Sequence, residues 1–451
     1  MKRLITLAAV LLSFALPLLA ADYKTTKLNG FGPNAINSSG EIAGFIILPN
    51  QSDAALWTRS GGIQDLGALG GTNSDARALN DAGQIVGQAN LTGDTASHAF
   101  LWTQGAGMQD LGALTGTQSY ATAINASGQV VGQWFSPQTQ FLEPFIWTPN
   151  GGMKDLGSPL GGLTLVAGIN SAGHVALTSY SPDGAVSRAY LWTPETGALL
   201  LDSLGNASTA AYSITGFDAV AGTAGSHAAV WLPAGAQDLG TLGGLSSLAR
   251  QIGSSGVVVG QSQLAGNKVT HSFIWTVPFG MQDLGQLPNH PNNSPESINA
   301  KGQVVGFSGG SGTYFWSLDS GMKSVTALQS PAGLNDAGQI IGTTRNKSLQ
   351  GAIATPIMHV AIASSQNPSQ VGQSVTFTAT VTSIAGQPPD EQIITFKDGS
   401  KVIGTAPLFS GIASLTTSSL AAGSHLIKAT YTGDDNYASS KSPVFKQVVN
   451  P

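Results

Sequence analysis

Short apolar segments recur along most of the chain, separated by small and polar turn residues. Residues 121–162 show the pattern, which reads ATAINASGQVVGQW, then a loop, then EPFIWTPNGGMKDLG. Apolar and polar positions alternate within each segment and helical periodicity is weak, which is typical of β-strands. Each repeat of about 45 residues therefore predicts four short strands.

Three landmarks identify the repeats. An Ile/Leu-Asn-x-x-Gly step is complete at Asn37, Asn80, Asn125, Asn170, Asn299 and Asn335, and degenerate at Thr215 and Gly253. Apolar-Trp steps follow at Trp57, Trp102, Trp147, Trp192, Trp231, Trp275 and Trp316. Asp-Leu steps or their equivalents follow at Asp65, Asp110, Asp155, Asp202, Asp238 and Asp283. Because Asn followed three residues later by Gly favours a type I turn, the first two strands of each repeat are predicted to form a hairpin.

The two ends of the repeat region indicate a closed ring. Four strands in about 45 residues match a β-propeller blade, whereas a solenoid uses shorter coils and capping ends. The eighth repeat has only three strands, and an orphan strand at residues 23–29 precedes the first repeat. Its segment TKLNG resembles QDLGA of residues 64–68. The sequence therefore predicts an eight-bladed β-propeller over residues 22–356, closed by the N-terminal strand.

The pattern changes after Pro356. Residues 374–382 (SVTFTATVT) and 392–397 (QIITFK) alternate as strands, and residues 398–400 (DGS) favour a hairpin turn. About seven strands in the last segment predict an immunoglobulin-like β-sandwich over residues 357–451. The fold class predicted for the whole chain is all-β.

The repeat resembles the HAF-type extracellular repeat family of bacteria, whose name matches His98-Ala99-Phe100 here. The resemblance covers roughly residues 23–355, with Asn-x-x-Gly, Leu-Trp-Thr and Asp-Leu-Gly recurring in phase. It implies export, and it supplies no catalytic residues. Residues 423–440 (GSHLIKATYTGDDNYASS) resemble the bacterial Ig-like repeats of surface and secreted proteins.

Residues 1–21 are typical of a secretory signal peptide. Lys2 and Arg3 precede an apolar run over residues 4–19, and an Ala-Ala step supplies small residues for cleavage. A membrane anchor is the alternative, but the run is short and contains Pro17. No later apolar run approaches the roughly 20 residues of a spanning helix. We therefore expect a secreted, surface-exposed or periplasmic protein with no transmembrane segment after cleavage.

Composition narrows the chemistry further. Asp, Glu, Lys and Arg make up 10% of the chain and the net charge is −5, with no basic cluster, so nucleic acid is not an expected partner. The absence of cysteine excludes disulfides, thiolate catalysis and Cys-ligated metals. No P-loop, GxSxG, HExxH or dinucleotide fingerprint occurs. No catalytic residue, metal or cofactor is predicted.

Each recurring residue has a functional and a structural interpretation. The Trp residues suit either sugar stacking or packing between blades, and we expect packing. The Asp of Asp-Leu suits either a metal ring or a local turn bond, and we expect the turn. We expect the His of His-Ala-Phe to be a solvated strand start rather than a metal ligand. Asp434 and Asp435 suit either calcium or a turn, and we expect the turn.

Strand order indicates which side of the ring would bind a ligand. In an antiparallel blade, the short Asn-x-x-Gly and Gly-Gly turns share one side, and the long, varied loops share the other. Variable loops on a rigid scaffold are where recognition usually lies, although simple loop drift is the alternative. The variable loops include Asp94 and residues 290–296. The candidate ligand-binding residues are Trp134, Phe135, Phe141, Tyr120 and Tyr180.

The leading functional hypothesis is an exported, non-enzymatic binding, adhesion or cell-surface structural protein. The propeller would recognise an extracellular glycan or protein, and the Ig-like domain would act as a spacer or adhesion module. The alternative is a secreted propeller enzyme acting on polysaccharide, for which Asp75, Asp94 and Glu296 are the candidate carboxylates. A second alternative is a purely structural coat protein with no discrete site.

Overall fold

The computed structural model describes residues 22–309, 312–344 and 350–451. The predicted signal peptide lies outside the described residues. All 41 regular elements of the described residues are β-strands, which confirms the all-β prediction. Within the described ranges, no helix reaches the length and hydropathy that a membrane span requires.

The repeat region folds into antiparallel groups of four strands, called units 1 to 8 in chain order, after a first strand β1 (Tyr23–Asn29). Unit 1 contains β2 (Phe31–Ile36), β3 (Ile42–Leu48), β4 (Gln51–Thr58) and β5 (Gly62–Gly67). Unit 2 contains β6 (Gly70–Leu79), β7 (Ile85–Leu91), β8 (Ser97–Thr103) and β9 (Gly107–Asp110). Unit 3 contains β10 (Ser119–Ile124), β11 (Val130–Phe135), β12 (Leu142–Thr148) and β13 (Gly152–Asp155). Unit 4 contains β14 (Thr164–Ile169), β15 (Val175–Tyr180), β16 (Ser187–Thr193) and β17 (Gly197–Leu200).

The second half of the repeat region continues this order. Unit 5 contains β18 (Thr209–Ile214), β19 (Val220–Ala224), β20 (His227–Leu232) and β21 (Gly235–Gly240). Unit 6 contains β22 (Gly243–Ile252), β23 (Val258–Leu264), β24 (Thr270–Thr276) and β25 (Gly280–Asp283). Unit 7 contains β26 (Asn293–Ile298), β27 (Val304–Ser308), β28 (Gly312–Ser317) and β29 (Gly321–Val325). Unit 8 combines β30 (Ser330–Leu334), β31 (Ile340–Thr343) and β32 (Gln350–Pro356) with β1.

The units are joined mainly by packing rather than by a continuous sheet. Units 1 and 2 share a single parallel pair, Ser52 with Asn73, and each of the other units forms its own sheet. The first strand of each unit contacts the first strands of its neighbours, and β30 of unit 8 also contacts β2 of unit 1. Apolar clusters fill the space between successive units, so the core is a series of layers.

The N-terminal strand completes unit 8, as the sequence predicted. β1 runs antiparallel to β32, with Tyr23 opposite Pro356 and Asn29 opposite Gln350. Leu28 is 2% exposed and packs with Phe31 of unit 1 and Ile353 of unit 8. The first and last parts of the repeat region are therefore held together by main-chain hydrogen bonds and a shared core.

Every first strand carries a β-bulge at the same place. The bulged residues are Asn34, Arg77, Thr122, Ala167, Tyr212, Arg250, Glu296 and Ala332. The bulge brings the facing strand close, because a Cβ on Gly132 would lie 2.0 Å from the Tyr120 carbonyl oxygen. This contact explains the glycine in the recurring Val-Val-Gly.

The Asn of each complete Asn-x-x-Gly step bonds across units as well as within its turn. Asn125 Oδ1 accepts from the N–H groups of Ser127 and Gln129, while Asn125 Nδ2 donates to Gln129 Oε1 and to the Asn170 carbonyl of unit 4. Equivalent cross-unit bonds of 2.9–3.3 Å start at Asn37, Asn80, Asn125, Asn170, Asn299 and Asn335. The degenerate steps at Thr215 and Gly253 interrupt this series.

The C-terminal segment forms a two-sheet sandwich around Phe377, Phe396 and Tyr431, all fully buried. One sheet contains β33 (His359–Ser364), β35 (Val375–Thr382) and β38 (Ile412–Thr417). The other contains β34 (Ser369–Gln370), β36 (Ile393–Asp398), β37 (Lys401–Pro407), β39 (Gly423–Tyr431), β40 (Ser440–Lys441) and β41 (Phe445–Asn450).

The sandwich docks on the Asn-x-x-Gly turns of units 7 and 8. Gln303 Nε2 donates to the Ala385 carbonyl at 3.0 Å, and Gln339 Nε2 donates to the Asp435 carbonyl at 2.9 Å. Ala385 is fully buried and belongs to the unit 8 core cluster. Arg59 of unit 1 approaches the Asp435 carboxylate at 3.6 Å. The two domains therefore share buried contacts as well as a covalent link.

Candidate functional site

We call the side that carries the Asn-x-x-Gly turns the turn face, and the opposite side, with the second-to-third loops and inter-unit links, the loop face. The docked sandwich and the cross-unit Asn bonds occupy the turn face. The loop face carries longer and more varied segments. A ligand site formed by variable residues would therefore lie on the loop face.

The recurring Trp residues lie in the core. Six of the seven are 2–8% exposed, and Trp316 is partly buried. Trp231 Nε1 also donates to the Asp202 carbonyl at 2.7 Å. The packing interpretation is confirmed, and these residues do not form a stacking platform.

The recurring Asp residues form local turns, as expected. Asp110 Oδ1 accepts from the Gly112 N–H at 2.7 Å, and the other five make the same bond two residues ahead. Asp434 Oδ1 likewise accepts from the N–H groups of Asn436 and Tyr437, which confirms the turn interpretation. In the described ranges, no group of three or more His, Asp or Glu side chains is arranged to hold a metal ion.

The expectation of a solvated His in His-Ala-Phe was wrong for His271, and it missed the carboxylate partner of all three residues. His98, His227 and His271 each place Nδ1 2.8–2.9 Å from the recurring carboxylate of the adjacent fourth strand. The His271 side chain is only 7% exposed. The residues are not simply solvated strand starts, because the antiparallel pairing of the third and fourth strands brings each imidazole next to the Asp turn. Their role is to tie the two outer strands together.

The predicted aromatic loop of unit 3 is folded against its own unit. Trp134 is 4% exposed, packs in a core cluster and has its Nε1 3.4 Å from Asp155 Oδ1, so its ring is not presented to a ligand as the sequence analysis expected. Phe135 and Phe141 are half-buried at the two ends of the loop. Ser136 N–H donates to the Phe141 carbonyl at 3.0 Å and closes the loop. This segment therefore offers only two partly exposed aromatic rings.

Tyr120 and Tyr180 are also half-buried. The Arg77 guanidinium lies 4.8 Å from the centre of the Tyr120 ring. Burial raises the pKa of the Tyr120 phenol, with Arg77 acting in the opposite direction. Burial also raises the pKa of Tyr180, and the Tyr212 phenol contributes to the shift. Both phenols are therefore held neutral at physiological pH.

Two carboxylates considered for catalysis lie on first strands and are paired with arginine. Asp75 Oδ2 lies 3.4 Å from Arg77 Nε, and Glu296 Oε2 lies 2.9 Å from Arg250 Nη2. Asn34 Nδ2 also donates to Asp75 Oδ1 at 2.9 Å. Burial raises the pKa of the Asp75 carboxyl, while the neighbouring Arg lowers it. The Arg250–Glu296 pair joins units 6 and 7, and the Asn34–Asp75 bond joins units 1 and 2, whereas Asp75 and Arg77 both belong to unit 2.

The third carboxylate, Asp94, anchors a loop. Its two oxygens accept from the N–H and the hydroxyl of Thr72 at 2.8 and 2.9 Å. These bonds lower the pKa of the Asp94 carboxyl, with a further contribution from the Asn90 amide. Asp94 therefore holds the unit 2 loop in place and stays ionised.

The loop face has a cavity between units 6 and 7, on the link at residues 287–292. The cavity has a volume of about 550 Å³ and is lined by Gln261, Thr270, Asn289, His290, Pro291, Asn292, Asn293, Ser294, Phe307 and Gly309. A second cavity of about 260 Å³ shares His290 and reaches Ser308 and Gln329. The first volume lies in the range of small-molecule sites.

Sequence reasoning included His290 among the variable loops but did not single it out. It also missed Gln261 and Phe307, because they lie within strands, at a position where other units carry ordinary strand residues. The only sequence signal was the unusual link LPNHPNN, whose Pro and Asn residues depart from the other inter-unit links. The candidate site thus lies on the predicted face but at a different link from the aromatic loop.

Comparison with known proteins identifies one domain. Residues 362–450 match the family model described as "Bacterial Ig-like domain (group 3)". No curated protein matches the sequence.

Three similar solved structures illustrate the range of structural likeness. The Dos1 propeller is 12% identical, with 74% of this chain and 95% of that chain covered and a TM-score of 0.47. The β-propeller domain of the Pyrococcus furiosus trilobed protease is 9% identical, with 72% and 94% covered and a TM-score of 0.40. The fibronectin(III)-like modules of Clostridium thermocellum CbhA are 22% identical, with 20% and 94% covered and a TM-score of 0.17.

Proposed function

We propose that this chain is an exported, non-enzymatic recognition protein. In this proposal units 1 to 8 are the eight blades of one closed propeller, as the strand pattern of the repeats and the N-terminal strand predict. Its loop face binds an extracellular glycan or protein, and the Ig-like domain on the turn face serves as a spacer or adhesion module. The supporting observation is the cavity of about 550 Å³ at the link between units 6 and 7.

Three polar side chains of this cavity support a binding role. Gln261, Asn289 and His290 make no side-chain hydrogen bond to any residue among those the structure describes. Elsewhere on the loop face, polar side chains such as Asp94 are engaged in bonds that hold their own loops. Unused donors and acceptors around a concave surface favour a polar ligand.

The enzyme alternative receives less support from the carboxylates. Hydrolysis of a glycosidic bond requires two carboxyl groups flanking one bond. Asp75 and Glu296 belong to units 2 and 7, and each already contacts an arginine. Asp94 is committed to Thr72. None of the three lines the cavity between units 6 and 7.

The chain has no cysteine, so a single introduced thiol can block one face selectively. We would prepare Pro291→Cys at the cavity and Ser171→Cys on the turn face, and label each with a bulky maleimide. Both proteins are then screened for binding to glycan and cell-surface protein arrays beside the unlabelled chain. We expect the label at position 291 to abolish binding and the label at 171 to leave it unchanged. The reverse result, or turnover of a bound glycan, would refute the proposal.

A further inference from the structure

We propose that the cavity between units 6 and 7 binds a neutral saccharide, with His290 placed between two subsites. This inference rests on the proposed function and names its ligand class. The two cavities, of about 550 and 260 Å³, share His290 in their linings. Together they offer space for more than one sugar ring along the link between the units.

The charged residue types that border the cavities indicate the kind of ligand. Among the described residues, no Asp, Glu, Lys or Arg side chain borders either cavity. An anionic sugar or a charged peptide would bring an ion into contact with amide and hydroxyl groups and one imidazole, without the counter-charge of a carboxylate, Lys or Arg. Since an unpaired charge is costly to remove from water, the lining favours a neutral polar ligand.

The hydrogen-bonding groups match those of vicinal sugar hydroxyls. Gln261 and Asn289 each supply a carboxamide that both donates and accepts, and His290 supplies an imidazole. None of these side chains is hydrogen-bonded to another residue in the described part of the chain. Ser308, which lines the second cavity, is 1% exposed and its Oγ has no partner there either. A buried hydroxyl without a partner is unfavourable unless something from the cavity satisfies it.

The imidazole is positioned by backbone geometry. A Cβ on Gly309 would lie 2.2 Å from His290 Nδ1, so only glycine leaves room for the ring there. The Gly309 N–H donates to the Asn292 carbonyl at 2.8 Å, and Asn292 Oδ1 accepts from the Thr270 N–H at 2.9 Å. These bonds fix the link to both units. A site held in shape before binding loses less conformational entropy when the ligand arrives.

One aromatic side chain complements the polar groups. Phe307 is half-buried in the lining of the first cavity, at the strand position that Gln261 occupies in unit 6. A sugar ring presents C–H groups on its face and hydroxyls on its edge. An aromatic surface beside free amides therefore suits a sugar better than it suits a wholly polar ligand.

The test uses residues 22–451, the cell-surface protein arrays described above, and arrays of neutral oligosaccharides built from glucose, galactose, mannose, xylose and N-acetylglucosamine. Uronic-acid and sulfated oligosaccharides serve as charged probes. Two variants remove site groups, His290→Ala and Asn289→Gly. The matched control is Gln140→Gly, because Gln140 and Asn289 both carry an amide at a positive φ, of 62° and 64°, on the loop face. Thermal melting verifies that each variant is folded.

We expect binding of a neutral oligosaccharide, with affinity reduced about tenfold or more by each site variant and unchanged by Gln140→Gly. A tenfold change corresponds to about 1.4 kcal/mol, the scale of one lost hydrogen bond. Binding restricted to charged probes overturns the inference, as does neutral binding that both site variants retain. Binding of a surface protein but of no saccharide overturns the ligand class and leaves the proposed function standing. If the chain binds neither glycan nor protein on the arrays, both the saccharide inference and the proposed recognition function are overturned.

Discussion

Replacing Asn125 with alanine tests whether the cross-unit Asn bonds hold the ring together. Asn125 is 6% exposed and its carboxamide takes part in four hydrogen bonds. Two of them satisfy the N–H groups of Ser127 and Gln129 within the turn. One joins the Gln129 side chain, and the last reaches the Asn170 carbonyl in the next unit.

The expected loss of stability follows from these hydrogen-bond partners of Asn125. A hydrogen bond contributes about 0.5–1.5 kcal/mol net, and a buried group left without a partner costs about 1–3 kcal/mol. Because water reaches part of the turn through exposed Ser127, not every partner is stranded. We therefore expect Asn125→Ala to lower the free energy of unfolding by about 2–4 kcal/mol. Asn125→Thr should lower the free energy of unfolding by less. Thr215, at the equivalent position of unit 5, still accepts one hydrogen bond within its turn, from the Ala219 N–H.

The assay is equilibrium denaturation of the purified chain in guanidinium chloride, followed by tryptophan fluorescence. Ser127→Ala is the matched control, because Ser127 is exposed and uses only its backbone N–H. It should change stability by less than about 0.5 kcal/mol. If Asn125→Ala is as stable as Ser127→Ala, the cross-unit bond contributes nothing and the reasoning fails.

Three further changes test the ring. Deleting residues 22–29 exposes the edge of β32 and should lower the melting temperature and promote association, so an unchanged melting curve would contradict closure by β1. Trp147→Ala empties a site that is 6% exposed and should cost about 3–5 kcal/mol in chemical denaturation, whereas a fully stable variant would mean the ring is not packed. Gly253→Asn should stabilise by about 1 kcal/mol beyond Gly253→Ala, because a Cβ there lies 3.7 Å from the Asn299 carbonyl oxygen and restores a missing cross-unit bond. Equal melting temperatures for these two variants would argue against that bond.

Much of the fold follows from residues that recur in phase. Repeated Asn-x-x-Gly and Asp-Leu-Gly steps predict turns because their side chains bond to nearby backbone groups. Apolar-Trp steps predict buried strands because burial removes a large aromatic ring and its apolar neighbours from water. The orphan strand at residues 23–29 predicts its partner because the last repeat lacks a strand. In each case the prediction rests on residues that are close in sequence or on a strand that is missing from one repeat, and both can be read from the sequence.

The burial of Trp134 could also be predicted from the sequence, but only by aligning the repeats. Trp134 occupies the strand position of Ala89, Ser179 and Ser262, which are all 0–1% exposed. Alternation along β11 places its side chain on the same buried face as Val130. Treating the segment as a loop, rather than as a strand that extends to Phe135, led to the wrong prediction.

The cavity at His290 could not be predicted in this way. Gln261 and Phe307 come from different units, and nothing local indicates that their side chains face one space. The room for His290 depends on Gly309, a residue 19 positions later, through a backbone contact with no sequence pattern. Such a site depends on how neighbouring units pack, which a single sequence does not report.

The docked Ig-like domain limits where a ligand can bind. In units 2, 3, 7 and 8, a Gln carbonyl holds the Asn of its own turn, which leaves the Gln amide free to face outward. At Gln303 and Gln339 these amides bond to the Ig-like domain, which lies over the turns of units 7 and 8 and beside Arg59 of unit 1. Antiparallel connection puts those turns on the opposite face from the link that carries His290. The domain therefore covers the turn face beneath units 7 and 8 and leaves the candidate cavity between units 6 and 7 open on the loop face.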